Sequence, residues 1–233
     1  ANSRTAALEL RDKIPPIYLQ IPGALRNYLQ YQHQSPLFTL VRFGKWNDIL
    51  ELKVNDSLRF TSVLQHFSRG MALAKTQKIN EAKIELSKME QAMKDPALKV
   101  PLTPFNDAYH PSLIAFYLLQ GTIAEQQEKW QDAINHFKEA VVTEDNLIYN
   151  EPRDWLLPAR QYLGKALVAA GQYTEAIKVF EKDLEINPNN GWSLSGLRLA
   201  YQKSGKSSMA MAVNKSIATA WKIKDVVIED AVF

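Results

Sequence analysis

The sequence contains no cysteine. That excludes a disulfide framework, a thiolate nucleophile and any cysteine-based zinc or iron–sulfur site, and it fits a cytoplasmic or a periplasmic protein equally well. Glycine is scarce as well, nine in 233 residues, which argues against a sandwich or barrel full of tight turns. No apolar run approaches the ~20 residues of a membrane span, and the N-terminus lacks the charged, apolar and small-residue succession of a secretion signal. A soluble chain with no membrane insertion is therefore expected. The four histidines, His33, His66, His110 and His136, include no pair at the i, i+4 spacing that turns two imidazoles onto one helix face, so no metal is expected. Glycine-rich phosphate loops, nucleophile elbows and dinucleotide fingerprints are missing too, which leaves no expected cofactor and no catalytic residue. Charge of one sign is also lacking: 28 basic residues are interspersed among 25 acidic ones for a net +3. Nucleic acid is accordingly not an expected partner.

What is present is an internal repeat. Leu163 and Leu197, Gly171 and Gly205, and Ala176 and Ala210 are each 34 residues apart, the tetratricopeptide period. In the clearest copy Leu163-Gly164 supplies a small site on a first helix, Gly171 turns the chain and Tyr173 opens a second helix. Ala176 and Phe180 then lie one turn apart on one face, and Pro188 follows where the helix stops. Gly121, Ala133 and Phe137 precede Gly164, Ala176 and Phe180 by a constant 43 residues, and Gly70, Ala82 and Leu86 precede that copy by a constant 51. Constant offsets mean intact repeats separated by longer loops. Phe43-Gly44-Lys45-Trp46, followed by Ile49, reads as a partial copy.

The pattern predicts one all-α domain with no strand. Two N-terminal helices over 1–34 are broken at Pro15-Pro16, with Pro22 in a first turn. A partial repeat over 36–52 follows, then repeats over 60–94, 111–145, 157–188 and 191–223, and a tail over 224–233. Asn214 stands where earlier copies have Phe or Leu, as suits a terminal cap. Ser216 to Lys224 is expected to continue the last helix, with Trp221 covering the end of the stack.

These residues resemble the tetratricopeptide repeat family over about 36–224. Tyr149-Asn150-Glu151-Pro152-Arg153-Asp154-Trp155-Leu156-Leu157-Pro158-Ala159-Arg160, Leu163-Gly164, Asp183-Leu184, Pro188-Asn189-Asn190-Gly191-Trp192, Ala220-Trp221, Asp225-Val226 and Phe233 are similar to the C-terminal part of longer bacterial members of unestablished function. The resemblance implies a right-handed α-α superhelix with two inter-repeat insertions, from a bacterial cytoplasm or periplasm, and it suggests that earlier repeats precede residue 1. It also implies that first helices line a concave groove. On this chain that places Thr122, Glu125 and Gln126, then Gln161, Tyr162 and Lys165, then Trp192, Ser195 and Gln202 on the groove, with Trp192 either an exposed anchor or packed on Pro158.

A groove lined in this way suits a peptide or protein partner. The segment 145–156 contributes Tyr149, Glu151, Arg153, Asp154 and Trp155, of which Tyr149, Arg153 and Trp155 would form a binding rim, or Trp155 would plug the loop onto the stack. The Pro-rich insertion 95–110 offers Asp107 and His110, which read either as a solvated loop pair or, with Glu151 and Arg153, as a small-ligand or hydrolytic pocket between the insertions and the groove. Carboxylate pairs such as Glu81 with Glu85, and Glu181 with Glu185, read as solvated helix faces. The chaperone-binding members of the family hold a peptide carboxylate with Lys, Arg and Asn. The corresponding positions here are Leu118, Thr122, Tyr162, Trp192 and Gly196, or in the preceding window Phe67, Met71, Leu119, Pro158 and Tyr162. Neither window has a cation or an Asn, so a carboxylate-clamp peptide is not an expected partner.

Overall fold

The computed structural model describes residues 2–223 and 228–233. Among these residues twelve α-helices run in order: α1 (Asn2–Asp12), α2 (Ala24–His33), α3 (Ser35–Arg42), α4 (Trp46–Leu50), α5 (Arg59–Lys75), α6 (Ile79–Ala92), α7 (Tyr109–Gln126), α8 (Trp130–Asp145), α9 (Ala159–Ala169), α10 (Tyr173–Ile186), α11 (Gly191–Lys203) and α12 (Ser207–Ala220). Among the described residues there is no strand, only an isolated bridge between Pro101 and Asp107 in the first insertion. Helices from α3 onward pair as hairpins, α3/α4 through α11/α12, which stack into an α-solenoid.

The hairpins share one turn. The second residue after each first helix has positive φ: Gly44 (61°), Gln77 (63°), Glu128 (57°), Gly171 (75°) and Gly205 (76°). The next residue donates its amide to a carbonyl one turn back, Lys45 to Leu40, Lys78 to Leu73, Lys129 to Ala124, Gln172 to Leu167 and Lys206 to Tyr201, at 2.8–3.0 Å. This Schellman arrangement pairs carbonyls that the helix end would leave open, and it reverses the chain in few residues. Glycine suits the left-handed position because it has no Cβ, so Gln77 and Glu128 occupy it at a cost.

Packing between paired helices follows the register read from the sequence. A Cβ on Gly164 would stand 2.4 Å from Phe180 Cζ, and one on Gly121 would stand 2.4 Å from Phe137 Cε1. Gly196, on the next first helix, meets the same Phe180 ring at 2.3 Å. Phe180 is thus clasped by glycines of two successive repeats, a fit that only hydrogen side chains permit. Phe67, Phe137 and Phe180 are fully buried and form the spine of the core.

Several expectations need correction. α2 starts at Ala24 behind Gly23, so Pro22 lies ahead of the helix and not in its first turn. α12 ends at Ala220 instead of running to Lys224, and Lys224, Asp225 and Val226 lie outside the described residues. Trp221 does cover the end of the stack, against Gly191 and at 5.6 Å from the Trp192 ring. Glu85 is not on a solvated face. It is buried, and its Oε2 lies 2.6 Å from His66 Nδ1, while His66 Nε2 faces Asp56 Oδ1 at 3.0 Å.

Candidate interaction groove

The first helices α5, α7, α9 and α11 contribute a file of side chains, and these are far more enclosed than an open groove requires. Thr122, Gln161 and Ser195 have no exposure, and Tyr162, Trp192 and Trp155 are also buried. Ser195 Oγ donates back to Gly191 O within its own helix (2.9 Å). Tyr162 packs on Phe137 at 5.9 Å, and burial pushes its phenol up to about 12. Trp155 donates Nε1–H to Leu157 O (2.7 Å) and meets Phe38 and Phe67 edge-on, so it plugs the second insertion into the core. The expectation of an exposed rim at Trp155 and of exposed groove positions at Thr122, Gln161, Tyr162, Trp192 and Ser195 is therefore corrected.

Two distant segments of the same chain provide the cover. From the N-terminal side, Arg42 donates Nη1–H to Gln161 Oε1 (2.6 Å) and Nη2–H to Leu156 O (3.3 Å), and its guanidinium lies 5.3 Å from the centroid of the Trp192 indole. Phe43 meets that indole at 6.0 Å. The tail arrives from the other side, with Phe233 edge-on to Trp192 at 5.4 Å. Gln161 also donates to Ser193 Oγ (3.0 Å) and Asp183 Oδ2 (3.4 Å), so both ends of its amide are paired. Trp192 is held by Arg42, Phe43, Trp221 and Phe233, a different set from the Pro158 packing considered from sequence.

Further along, a line of charges crosses three helices. Lys75 donates to Glu125 Oε2 (3.0 Å), both side chains 7% exposed, and Lys165 Nζ stands 3.7 Å from Glu125 Oε1. Burial opposes the charge on Lys75 and pulls it below its ordinary range, yet the two ammonium groups hold the Glu125 carboxyl below its own against the same burial. Gln126 accepts from Gln77 (2.7 Å) at the edge, and Gln202 is exposed.

The second insertion behaves differently. Tyr149 is exposed, donates its hydroxyl to Glu151 and lies under Arg153 (5.7 Å), whose Nη2–H reaches Ile186 O at 3.1 Å. Asp154 fastens the two insertions together, accepting from Thr103 Oγ1 (3.0 Å) and Asn106 Nδ2 (2.6 Å). Asp107 accepts from the His110 amide (3.0 Å) and faces its ring at 2.7 Å, a cap on the start of α7, and no bond links that pair to Glu151 or Arg153 among the described contacts. A cleft of about 180 Å³ does open beside the second insertion, lined by Glu144, Tyr149, Arg153, Asp154, Arg160 and Asp183 among others. Among the described residues no cluster of three or more His, Cys, Asp or Glu is placed to hold a metal ion, and no helix is long and apolar enough to cross a membrane.

Sequence reasoning missed Arg42, Lys75, Asp183 and the tail. Asp183 had a signal, since it falls one turn beyond Ala176 and Phe180 on their buried face. The others act across the fold and leave no local pattern.

Residues 158–190 match the model of the tetratricopeptide repeat. That stretch, which holds α9 and α10, is one such repeat. Among solved structures it is similar to MamA MSR-1 (18% identity over 84% of this chain and 97% of that chain, TM-score 0.45), to a further crystal structure of MamA (15%, 97% and 99%, 0.46) and to MamA AMB-1 (17%, 83% and 98%, 0.44). No curated protein matches the chain.

Proposed function

We propose that this repeat protein is a non-enzymatic protein-interaction scaffold whose concave groove receives an extended segment of a partner. The observation that supports the reading most is that a short non-helical segment of its own chain, residues 228–233, bent at Asp230 and Ala231, already lies against these first helices. Lys165 donates to the backbone oxygen of Val232 (3.4 Å) and Arg198 to that of Glu229 (3.4 Å). Cations aimed at main-chain carbonyls recognise an extended chain whatever its side chains are. Thr122, Gln126, Gln161, Tyr162, Lys165, Trp192 and Ser195 would serve this site, the buried ones as its floor, with Tyr149 and Arg153 at an outer edge.

The test is selection of displayed random peptides on the whole chain. Binders should lose retention on a Lys165→Ala chain, and a population indifferent to both Lys165→Ala and Arg198→Ala would move the site off the groove. A second reading, a small-ligand or hydrolytic pocket, draws on the cleft beside the second insertion. Ligand screening that gave hits sensitive to Arg160→Ala and insensitive to Lys165→Ala would favour it.

A further inference from the structure

The tail does more than fill space, because its side chains are sorted by size. Ile228, Ala231 and Val232 are buried, and the Ala231 methyl lies 2.9 Å from where a Cβ on Gly196 would stand. At that point hydrogen faces methyl, and neither side has room for another carbon. Two residues on, the Phe233 ring meets the Trp192 indole edge-on, and its Cβ lies 2.9 Å from a would-be Cβ on Gly44. Thus the α3–α4 turn, α9 and α11 converge on one short stretch through two glycine floors, one aromatic wall and two cations on carbonyls.

We infer that the partner segment is a short non-helical stretch with a small residue over Gly196 and an aromatic residue two positions later against Trp192, and that the chain's own Ile228–Phe233 holds this place until displaced. The inference rests on the groove reading above and adds to it a recognition pattern and a form of self-masking. The acidic side chain just ahead of the small anchor contributes little to the pattern. Burial pushes the Asp230 carboxyl above its ordinary range, with Lys165 and Lys75 pulling it only partly back, so a neutral residue is equally acceptable there.

A groove occupied by its own tail nine-tenths of the time binds an external copy about tenfold more weakly than a vacant one. The probe is the peptide Ile-Glu-Asp-Ala-Val-Phe, blocked at both ends and fluorescently labelled, titrated by anisotropy into the full chain and into full-length Ala231→Glu, in which a longer charged side chain expels the tail. Binding to Ala231→Glu should be at least about tenfold tighter than to the unsubstituted chain. Exchanging the peptide's Ala for Leu should abolish binding, and Asp for Asn should not weaken it. Equal affinity for both chains, or a Leu peptide that binds as well as the Ala peptide, overturns the inference. Circular dichroism checks the fold of Ala231→Glu, and Phe233→Ala, a milder change at a partly exposed residue, should give the same order if the first variant unfolds. A folded variant that binds no peptide defeats this pattern alone, because the groove reading falls only with the Lys165→Ala and Arg198→Ala selections. Sedimentation showing oligomers dissolved by excess peptide would assign the groove to the tail of a second copy and overturn the self-masking.

Discussion

Arg42 and Gln161, 119 positions apart, are joined by a 2.6 Å hydrogen bond that closes the N-terminal helices onto the C-terminal repeats. A solenoid normally propagates contacts only between neighbouring repeats, so stability adds up along its length. Here the guanidinium spans from α3 to α9 and α11, and the same cation covers the Trp192 face. Arg42→Ala leaves Gln161 Oε1 without its charged donor and removes the cation–π contact, a loss of about 1–3 kcal/mol. Urea denaturation checks this, and the Gln161→Ala, Arg42→Ala double variant should cost less than the sum of the two singles. Additive effects would mean that the bridge carries no coupling.

Gly164→Ala tests the helix crossing. The new methyl would stand 2.4 Å from Phe180 Cζ, a ring that is already clasped by Gly196 and cannot retreat. Overpacking of this kind costs about 1–3 kcal/mol. Chemical denaturation of Gly164→Ala with no loss of stability would show that the Phe180 ring has free space.

How much of this was legible in the sequence depends on the reach of each contact. Gly164, Ala176 and Phe180 carry the hairpin in local spacing, and their roles could be read directly. The turns at Gln77 and Glu128 use the same left-handed geometry as Gly44, Gly171 and Gly205, yet they show no glycine, so only the repeat register locates them. The groove was legible as a file of first-helix residues. Its closure was not, because Arg42, Phe43 and Phe233 reach Trp192 from opposite ends of the chain. Trp192 and Gln161 therefore looked like open binding positions when they are covered ones.

Trp192→Ala should on this account act on stability before anything else. The indole is 8% exposed and bounded by Arg42, Phe43, Trp221 and Phe233, so truncation costs about 3–5 kcal/mol. Calorimetric melting should show the loss. An unchanged melting temperature together with weakened peptide binding would return Trp192 to the role of a pure contact residue.

Glu128→Gly should stabilise the protein. Glu128 adopts φ 57° at the end of α7, where an L side chain is strained and glycine is not. Offset by the greater freedom of glycine in the unfolded chain, the gain is about 0.5–1 kcal/mol, or roughly 1–4 °C in the melting temperature of a chain this size. A lower melting temperature would mean that the side chain makes a compensating contact. Gly171→Ala, at φ 75°, should move the other way.

Glu144 offers a pH signature. Its carboxyl sits in the wall of the cleft beside the second insertion, accepts the Ala159 amide at the start of α9 (2.8 Å), and is pushed up from 4.5 to about 7, by burial first and by neighbouring Asp183 and Asp145 in addition. A raised carboxyl pKa means that the folded chain holds a proton which the unfolded chain releases. The stabilising contribution is therefore complete below about pH 4.5 and is lost as pH rises through about 7, a change on the order of 3 kcal/mol. Gln presents the same acceptor to Ala159 without ionising. Denaturant midpoints at pH 5 and pH 8 should consequently diverge more for the unsubstituted chain than for Glu144→Gln, with the variant the more stable of the two at pH 8. Parallel pH profiles would show that the carboxylate is solvated within the cleft and titrates as an ordinary glutamate.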